Sequence, residues 1–351
     1  VYYSGLGDPT YFPDLNYLTV GGASTSVMGF LNLGEYLAVV KEQSGQDPTT
    51  ALIYQTSIST KTVTVDSKTA QTTQELTYAI KQSTTGIGAV SKSCFNVLND
   101  EPLFLSASGI FGIVSTSLTS EKVTRNRSYY LDQKLTREPN LENAVACVWQ
   151  NYYILAVNNH AYVLDGRHKG GDRRGNTSYG YEGYYWDNIP ATCFLVRGKE
   201  LWFGTSDGKI CRFKDTGQIT DYSDNGTAIK SIWSTPSDND GVTEYFKTMT
   251  KKGTMCTLAP YEKSSVNIYI EADSGNREFI GQSNIDIWSG FNSVDFTRFA
   301  FDTRTGPRDK FFNKKKKRYK RLKIILENNA VNEPFGVFEI IKTYTVDKFA
   351  K

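Results

Sequence analysis

Residues 94–115 read CFNVLNDEPLFLSASGIFGIVS, residues 147–165 read CVWQNYYILAVNNHAYVLD, and residues 193–213 read CFLVRGKELWFGTSDGKICRF. Each stretch begins with a strand carrying a cysteine and runs into a polar turn at Asn99-Asp100, Gln150-Asn151 or Arg197-Gly198-Lys199. A β-rich strand follows, then a tight turn at Ser108-Gly109, Asn158-Asn159 or Asp207-Gly208, then another β-rich strand. Asn and Gly at such turns supply the positive φ that short hairpin loops demand. The turn centres Gly109, Asn159 and Gly208 are 50 and 49 residues apart (159 − 109 and 208 − 159). A meander of three or four strands repeating at about 50 residues is the period of a β-propeller blade. A less regular earlier copy spans residues 34–56, with its turn near Gly45. Residues 57–91, rich in Ser, Thr, Lys and Gln with a two-sided run Thr62-Val63-Thr64-Val65, read as an excursion or hairpin between blades.

Beyond about Ala228 the period is lost. Strand-like runs continue at residues 245–250, 254–258, 266–271, 293–301, 322–327 and 337–346, spaced as in an antiparallel β-sandwich. The expected architecture is therefore all-β: a propeller over residues 1–235, with its boundary somewhere in 221–241, followed by a sandwich-like domain over 236–351. A last propeller strand is expected near residues 229–234.

Composition agrees with this class. The chain has 351 residues, with 22 Tyr, 19 Phe and 5 Trp, a mixture that favours strands over long helices. Its 40 basic and 37 acidic residues give a net charge of +3, but the average conceals one segment. Residues 310–323 hold nine basic side chains and no acid, so the remainder carries 31 basic against 37 acidic residues, or −6. Within this basic arm, Lys314, Lys315, Lys316, Lys317, Arg318, Lys320 and Arg321 are candidate contact residues, interleaved with Phe311, Phe312 and Tyr319. Three readings stay open: a solvated edge strand kept soluble by lysine, docking to an acidic protein neighbour, and contact with nucleic-acid phosphates. Nothing in the run points to base-specific readout.

Chemistry-bearing motifs are sparse. No apolar run approaches the roughly 20 residues that span a bilayer, so no membrane partner is expected. No leader pattern precedes the first strand, and the chain opens on Val1 without an initiator Met, as a fragment or processed product would. Five cysteines (Cys94, Cys147, Cys193, Cys211, Cys256) include no CxxC, and the two histidines, His160 and His168, form no HExxH. The cysteines of the repeat read as small buried hydrophobes. Asp221, Ser223 and Asn225 imitate the start of an EF-hand loop, but its twelfth position is Ile232 instead of Glu. Asp238 and Asp240 before Gly241 read as turn residues. Asn126, Asn176 and Asn225 head formal glycosylation sequons. No cofactor, metal or catalytic residue is assigned, and a non-enzymatic protein is expected. The Gly- and Tyr-rich loop after His168 is the other candidate interaction site, with Tyr179, Tyr181, Tyr184 and Trp186 able to stack on a ligand.

Several stretches together resemble virion-associated β-propeller proteins of tailed bacteriophages, of the tail structural and packaged-DNA-stabilisation types. They are residues 8–21 (DPTYFPDLNYLTVG), 102–115, 128–135 (SYYLDQKL), 141–167, 184–194 (YYWDNIPATCF), 201–213 and 333–346 (EPFGVFEIIKTYTV). The resemblance implies a structural component of the head–tail region or tail, located in the virion and assembled in the host cytoplasm. It implies several copies per particle and other virion proteins as partners. The rival reading is a carbohydrate-binding or glycan-cleaving propeller that recognises a host surface, since carboxylate pairs can come from distant blades.

Overall fold

The computed structural model describes residues 1–33, 36–43, 49–54, 57–66, 69–78, 80–115, 122–169, 180–251, 253–286 and 306–349. The chain is all-β, in several separate antiparallel sheets, and divides into two compact units, Val1–Phe213 and Lys214–Lys351. The division falls 22 residues before the boundary expected at 235/236.

In the first unit the strands form four sheets in chain order. Sheet A joins β1 (Val27–Leu33), β2 (Tyr36–Lys41), β3 (Thr49–Tyr54) and β6 (Ile80–Thr85); a separate hairpin of β4 (Ser57–Asp66) and β5 (Thr69–Thr77) lies between its last two strands in sequence. The Ser/Thr-rich excursion is thus a hairpin inside the first meander, not a link between meanders. Its expected neighbour, the turn at Gly45, lies outside the described residues. Sheet B is a meander of β7 (Asn96–Leu98), β8 (Glu101–Ser106), β9 (Gly109–Ser115) and β10 (Lys122–Asn126). Sheet C repeats it with β11 (Val145–Trp149), β12 (Tyr152–Val157), β13 (His160–Lys169) and β14 (Tyr181–Asp187). Sheet D has three strands, β15 (Ala191–Arg197), β16 (Glu200–Thr205) and β17 (Ile210–Arg212).

The turns take the backbone that their residues favour. Asn99 and Asp100 (φ 50° and 60°), Gln150 and Asn151 (47° and 64°), and Asn158 and Asn159 (49° and 66°) are two-residue loops with both φ positive. Gly208 (φ 81°) closes a three-residue loop, across which Thr205 N donates to Lys209 O at 3.0 Å. At the second turn of sheet B the loop is Ala107-Ser108, and Gly109 (φ 126°) is the first residue after it.

Alternation along each strand sends one face to the preceding sheet and the other to the following one. Leu31, Ala38 and Val40 of sheet A share a core with Phe104 and Ile113 of sheet B. Leu98, Leu103, Leu105 and Ile110 of sheet B meet Tyr153, Leu155, Tyr162 and Leu164 of sheet C, with Leu135 of the short helix α1 (Asp132–Leu135) closing that layer. Cys147, Ile154, Ala161 and Val163 of sheet C meet Leu201 of sheet D, with Phe194 and Phe213 packed alongside. Beyond sheet A, the N-terminal segment lays Val1, Leu18 and Val20 over Val39. Tyr153 Oη donates to Cys94 O (2.7 Å) and Trp149 Nε1 donates to Lys199 O (2.8 Å), so hydrogen bonds also cross between sheets.

In the second unit, β18 (Ser223–Asp224) and β19 (Thr227–Ala228) form a short hairpin, and sheet E orders β20 (Ser231–Ser234), β27 (Leu322–Asn328), β23 (Lys263–Ala272) and β24 (Glu278–Asp286). Sheet F places β21 (Tyr245–Met249) between β26 (Lys316–Tyr319) and β29 (Tyr344–Phe349). Sheet G places β22 (Met255–Leu258) between β25 (Arg308–Phe311) and β28 (Val337–Ile341). Val266, Ile268, Ile270, Ile324 and Leu326 of sheet E share one core with Met249 and Tyr319 of sheet F and with Cys256 and Leu258 of sheet G. Two sequence expectations change here. The segment expected as a last propeller strand pairs instead with β27, Trp233 opposite Leu326. The run expected over 337–346 is two strands in different sheets. The run expected over 293–301 lies outside the described residues.

Candidate functional site

The basic segment is not a detached arm. Its residues are distributed over the ends of β25, the edge strand β26 and the start of β27. Glu278 on β24 accepts from Lys314 (2.5 Å) and Lys316 (2.8 Å), and these two ammonium groups hold its carboxyl below the ordinary range. Arg318 and Lys320 sit over the Phe246 ring at 5.4 and 5.6 Å, a cation–π arrangement. The Asp273 carboxylate accepts the backbone N–H of Lys320 (2.9 Å) and of Arg321 (2.7 Å), fixing the turn into β27. Tyr319 and Phe312 point into the core, whereas Lys315, Lys317, Arg318 and Arg321 are exposed. The sequence shows the charge; the carboxylate that takes two of the lysines is 38 residues from Lys316.

The aromatic set does not form one surface. Tyr179 lies outside the described residues. Tyr181 is buried and donates to Glu101 at 3.1 Å, so its ring is closed to a ligand. Trp186 packs on Phe213 (5.8 Å between centroids) in the layer between sheets C and D. Of the described members, Tyr184 alone is open, 42 % exposed.

The titratable groups of the first unit are engaged with one another. Glu101 of sheet B takes the Arg127 guanidinium as well as Tyr181, and all three are buried. Asp165, fully buried, accepts from Arg167 through both oxygens (3.0 and 2.8 Å), which lowers its pKa against the cost of desolvation. Burial opposes ionisation of Glu138, but hydrogen bonds from Asn158, Tyr162 and His160 outweigh it and keep the carboxyl below its usual value. Cys94 and Cys147 are pushed up by burial to about 12 and Cys256 to about 11, which suppresses thiolate chemistry.

Neither acidic loop of the second unit is open to a cation. Asp221 accepts Thr216 N at 2.6 Å and Gln218 N at 3.2 Å, as a turn residue does. Asp240 is paired with the ammonium groups of Lys247 and Lys342, and Asp238 with Lys342 at 3.6 Å. Lysine occupies the place a metal ion would need. Among the described residues no cluster of three or more His, Cys, Asp or Glu is arranged to hold a metal. Asn126 is engaged with Asp132 (2.5 Å) and Ser128 N (2.9 Å), and Asn176 lies outside the described residues.

The sequence reading missed the outward face of sheet D. Leu195 and Ile210, on the face turned away from sheet C, are 62 % and 77 % exposed, and Cys193 is exposed beside them. Trp202 shares that face, with the Arg212 guanidinium 5.2 Å from its ring and its Nε1 donating to Glu200 at 3.1 Å. The signal was available: the third repeat has the same apolar alternation as the first two, but no fourth repeat follows it.

No protein-family model matches the chain, and no curated protein sequence matches it. Among solved structures, the chain is similar to an exo-β-1,3-galactanase from Phanerochaete chrysosporium bound to β-1,3-galactotriose, at 10 % identity and a TM-score of 0.20, covering 92 % of this chain and 68 % of that one. The same enzyme with galactose gives 11 % identity and a TM-score of 0.15, covering 90 % and 75 %. Similarity at this level carries no argument about fold or activity.

Proposed function

We propose that the chain is a non-enzymatic structural component of a tailed-phage virion, in the tail or head–tail region, acting through protein–protein contacts and present in several copies. In this reading the first unit is a β-propeller whose blades are sheets A to D, and the second is an antiparallel β-sandwich. Support for the propeller comes from successive meanders at a period of about 50 residues, packed face to face in chain order. Parallel bridges at Glu42–Ala89 and Ser93–Val145, between one meander and the next, suit strands that gather around a common centre.

One observation carries the functional reading: residues 2–17 display their apolar side chains outward although their backbone is tied down. Val1 donates to Leu18 O at 2.9 Å and Tyr3 N to Asn16 O at 3.0 Å, while Tyr2, Tyr11, Phe12, Leu15 and Tyr17 are all more than half exposed. A pinned segment with outward aromatic rings is a contact surface, and part of it belongs to the stretch that resembles virion proteins. The exposed Lys315, Lys317 and Arg321 give the second unit a complementary patch for an acidic neighbour.

The test is sedimentation and electron microscopy of the chain mixed with the structural proteins encoded beside it. Co-assembly that is lost in a Tyr11→Ser/Phe12→Ser variant is expected. Failure to bind any virion component, or turnover of a bacterial surface polysaccharide, would overturn the reading.

A further inference from the structure

The three hairpins at residues 98–101, 149–152 and 197–200 close on the pairs Leu98–Glu101, Trp149–Tyr152 and Arg197–Glu200, and these pairs set sheets B, C and D in one register. In that register Leu103, Ile154 and Trp202 are equivalent. So are Ile110, Ala161 and Ile210, and so are Asn96, Cys147 and Leu195. All these positions face the following sheet. In sheets B and C that sheet exists, and Leu103, Ile154, Ile110 and Ala161 are 0 % exposed. Among the described residues no further sheet of the stack meets the same positions of sheet D, where Ile210 is 77 % and Leu195 62 % exposed. The face is built as the interior ones are, and its Leu195 and Ile210 are exposed.

We infer that this outward face of sheet D is a self-association surface, which pairs with the same face of a second copy about a two-fold axis. The other end of the stack offers no alternative. Val39 of sheet A is 0 % exposed beneath Val1, Leu18 and Val20, so a second copy cannot stack its own sheet A there head to tail. The polar groups on the face suit an isologous contact. Glu200 and Arg212, 2.7 Å apart and about half exposed, put both signs at one edge. A two-fold partner can therefore set its Arg212 against Glu200 and its Glu200 against Arg212. At the usual strand spacing, the strands of seven, six and three residues present a face of about 250 Å² in projection. Counting the relief of the side chains, roughly 800 Å² would be buried over both copies, under the roughly 1,000 Å² of a stable interface, so weak, reversible association at about 10–100 µM is expected. The inference is independent of the virion reading, because the pair would form whether or not other proteins bind.

The test uses the full chain in sedimentation velocity from about 1 to 200 µM, with bis-maleimide cross-linking through Cys193. The expected result is a reversible monomer–dimer equilibrium, with a covalent dimer that disappears in Cys193→Ser. Leu195→Asp/Ile210→Asp should weaken the equilibrium more than about tenfold while the circular dichroism is unchanged, since both side chains are exposed in the monomer. A monomer at every concentration overturns the inference. If its Cys193 reacts freely, nothing covers the face; if Cys193 is protected, another part of the same chain does. A dimer indifferent to the two aspartates also overturns it, because the copies would then meet elsewhere. Binding of virion proteins by a strictly monomeric chain would sink the self-pairing alone.

Discussion

Glu101→Ala is the most informative single change in the first unit. The carboxylate lies between sheets B and C, with the Arg127 guanidinium on one oxygen and Tyr181 Oη 3.1 Å from the other. It has room only because residue 112 is glycine: a Cβ at Gly112 would lie 1.9 Å from Oε1. Alanine at 101 leaves a buried guanidinium without its carboxylate and a buried phenol without its acceptor. Removing one partner of such a buried pair costs about 3–5 kcal/mol, a large part of the roughly 5–15 kcal/mol that domains have. For a unit of this size each kcal/mol moves the midpoint by about 2–4 °C, so a fall of roughly 6–20 °C is expected. Differential scanning calorimetry of the full chain reads this directly, because the transition of Val1–Phe213 should move and that of Lys214–Lys351 should not. Lys209→Ala, which removes an ion pair exposed at both ends, serves as the unmoved control. Gly112→Ala completes a double-mutant cycle. It should be strongly destabilising alone and much less so on top of Glu101→Ala, because the severe clash is with the removed carboxylate and only the Leu103 Cδ2 contact at 3.0 Å stays. A Glu101→Ala shift below about 2 °C, or additivity of the two changes, would refute the assignment of this pair as the tie between the two sheets.

Three further outcomes follow from particular contacts. Asp273→Ala removes the acceptor for two backbone N–H groups at the turn into β27 and should lower the second unit's stability by about 1–2 kcal/mol, read by urea denaturation. Lys314 and Lys316 hold the folded pKa of Glu278 below its ordinary value of 4.5, so its contribution is present above that value and lost as pH falls through the folded pKa. The second unit's midpoint should therefore drop on acidification, and less steeply in Glu278→Gln. Cys94 and Cys147 are raised from 9.0 to about 12, so the folded state favours the neutral thiol. That stability is intact below pH 9 and lost between pH 9 and 12, and alkylation at pH 8 should label Cys193 well before either.

The turns were legible because they depend on neighbours in sequence. Asn158-Asn159 and Asp207-Gly208 announce positive φ, and the strands they join are where the alternation places them. Relations between distant segments were not. Ser231–Ser234 has the composition of any short strand, and only its pairing with β27, some 90 residues later, shows that it belongs to the second unit. Cysteine equivalence was legible to within a strand's parity. Cys94 and Cys193 lie four residues before the first residue of the closing pair in their hairpins and Cys147 lies two before, so Cys94 and Cys147 face the following sheet and Cys193 the matching outward face of sheet D, without sharing one position. In the aromatic segment, alternation separated the rings: Tyr181 turned toward Glu101 of sheet B, and Trp186 toward sheet D.

The basic segment shows how far a net charge can mislead. Nine positive charges in residues 310–323 against −6 elsewhere suggest a flexible device held out for a polyanion. The fold draws four of these nine side chains into its own framework. Glu278 takes Lys314 and Lys316, Phe246 takes Arg318 and Lys320, and Asp273 holds the backbone where the run turns into β27. Of the other five, Lys315, Lys317 and Arg321 are exposed, on or beside β26, an edge strand of sheet F. Charged side chains on an edge strand disfavour pairing with another chain's strand, since each added strand would bring its own charges into register with them. The same three groups present a positive strip to an acidic partner approaching from the side. Blocking β-pairing and attracting acidic side chains are compatible on one edge, because the first acts through the backbone direction and the second through the side chains. We therefore propose an acidic protein surface, which can be held by a few charges along one edge, as the partner of this strip; extended nucleic acid gains its affinity from many phosphates neutralised at once.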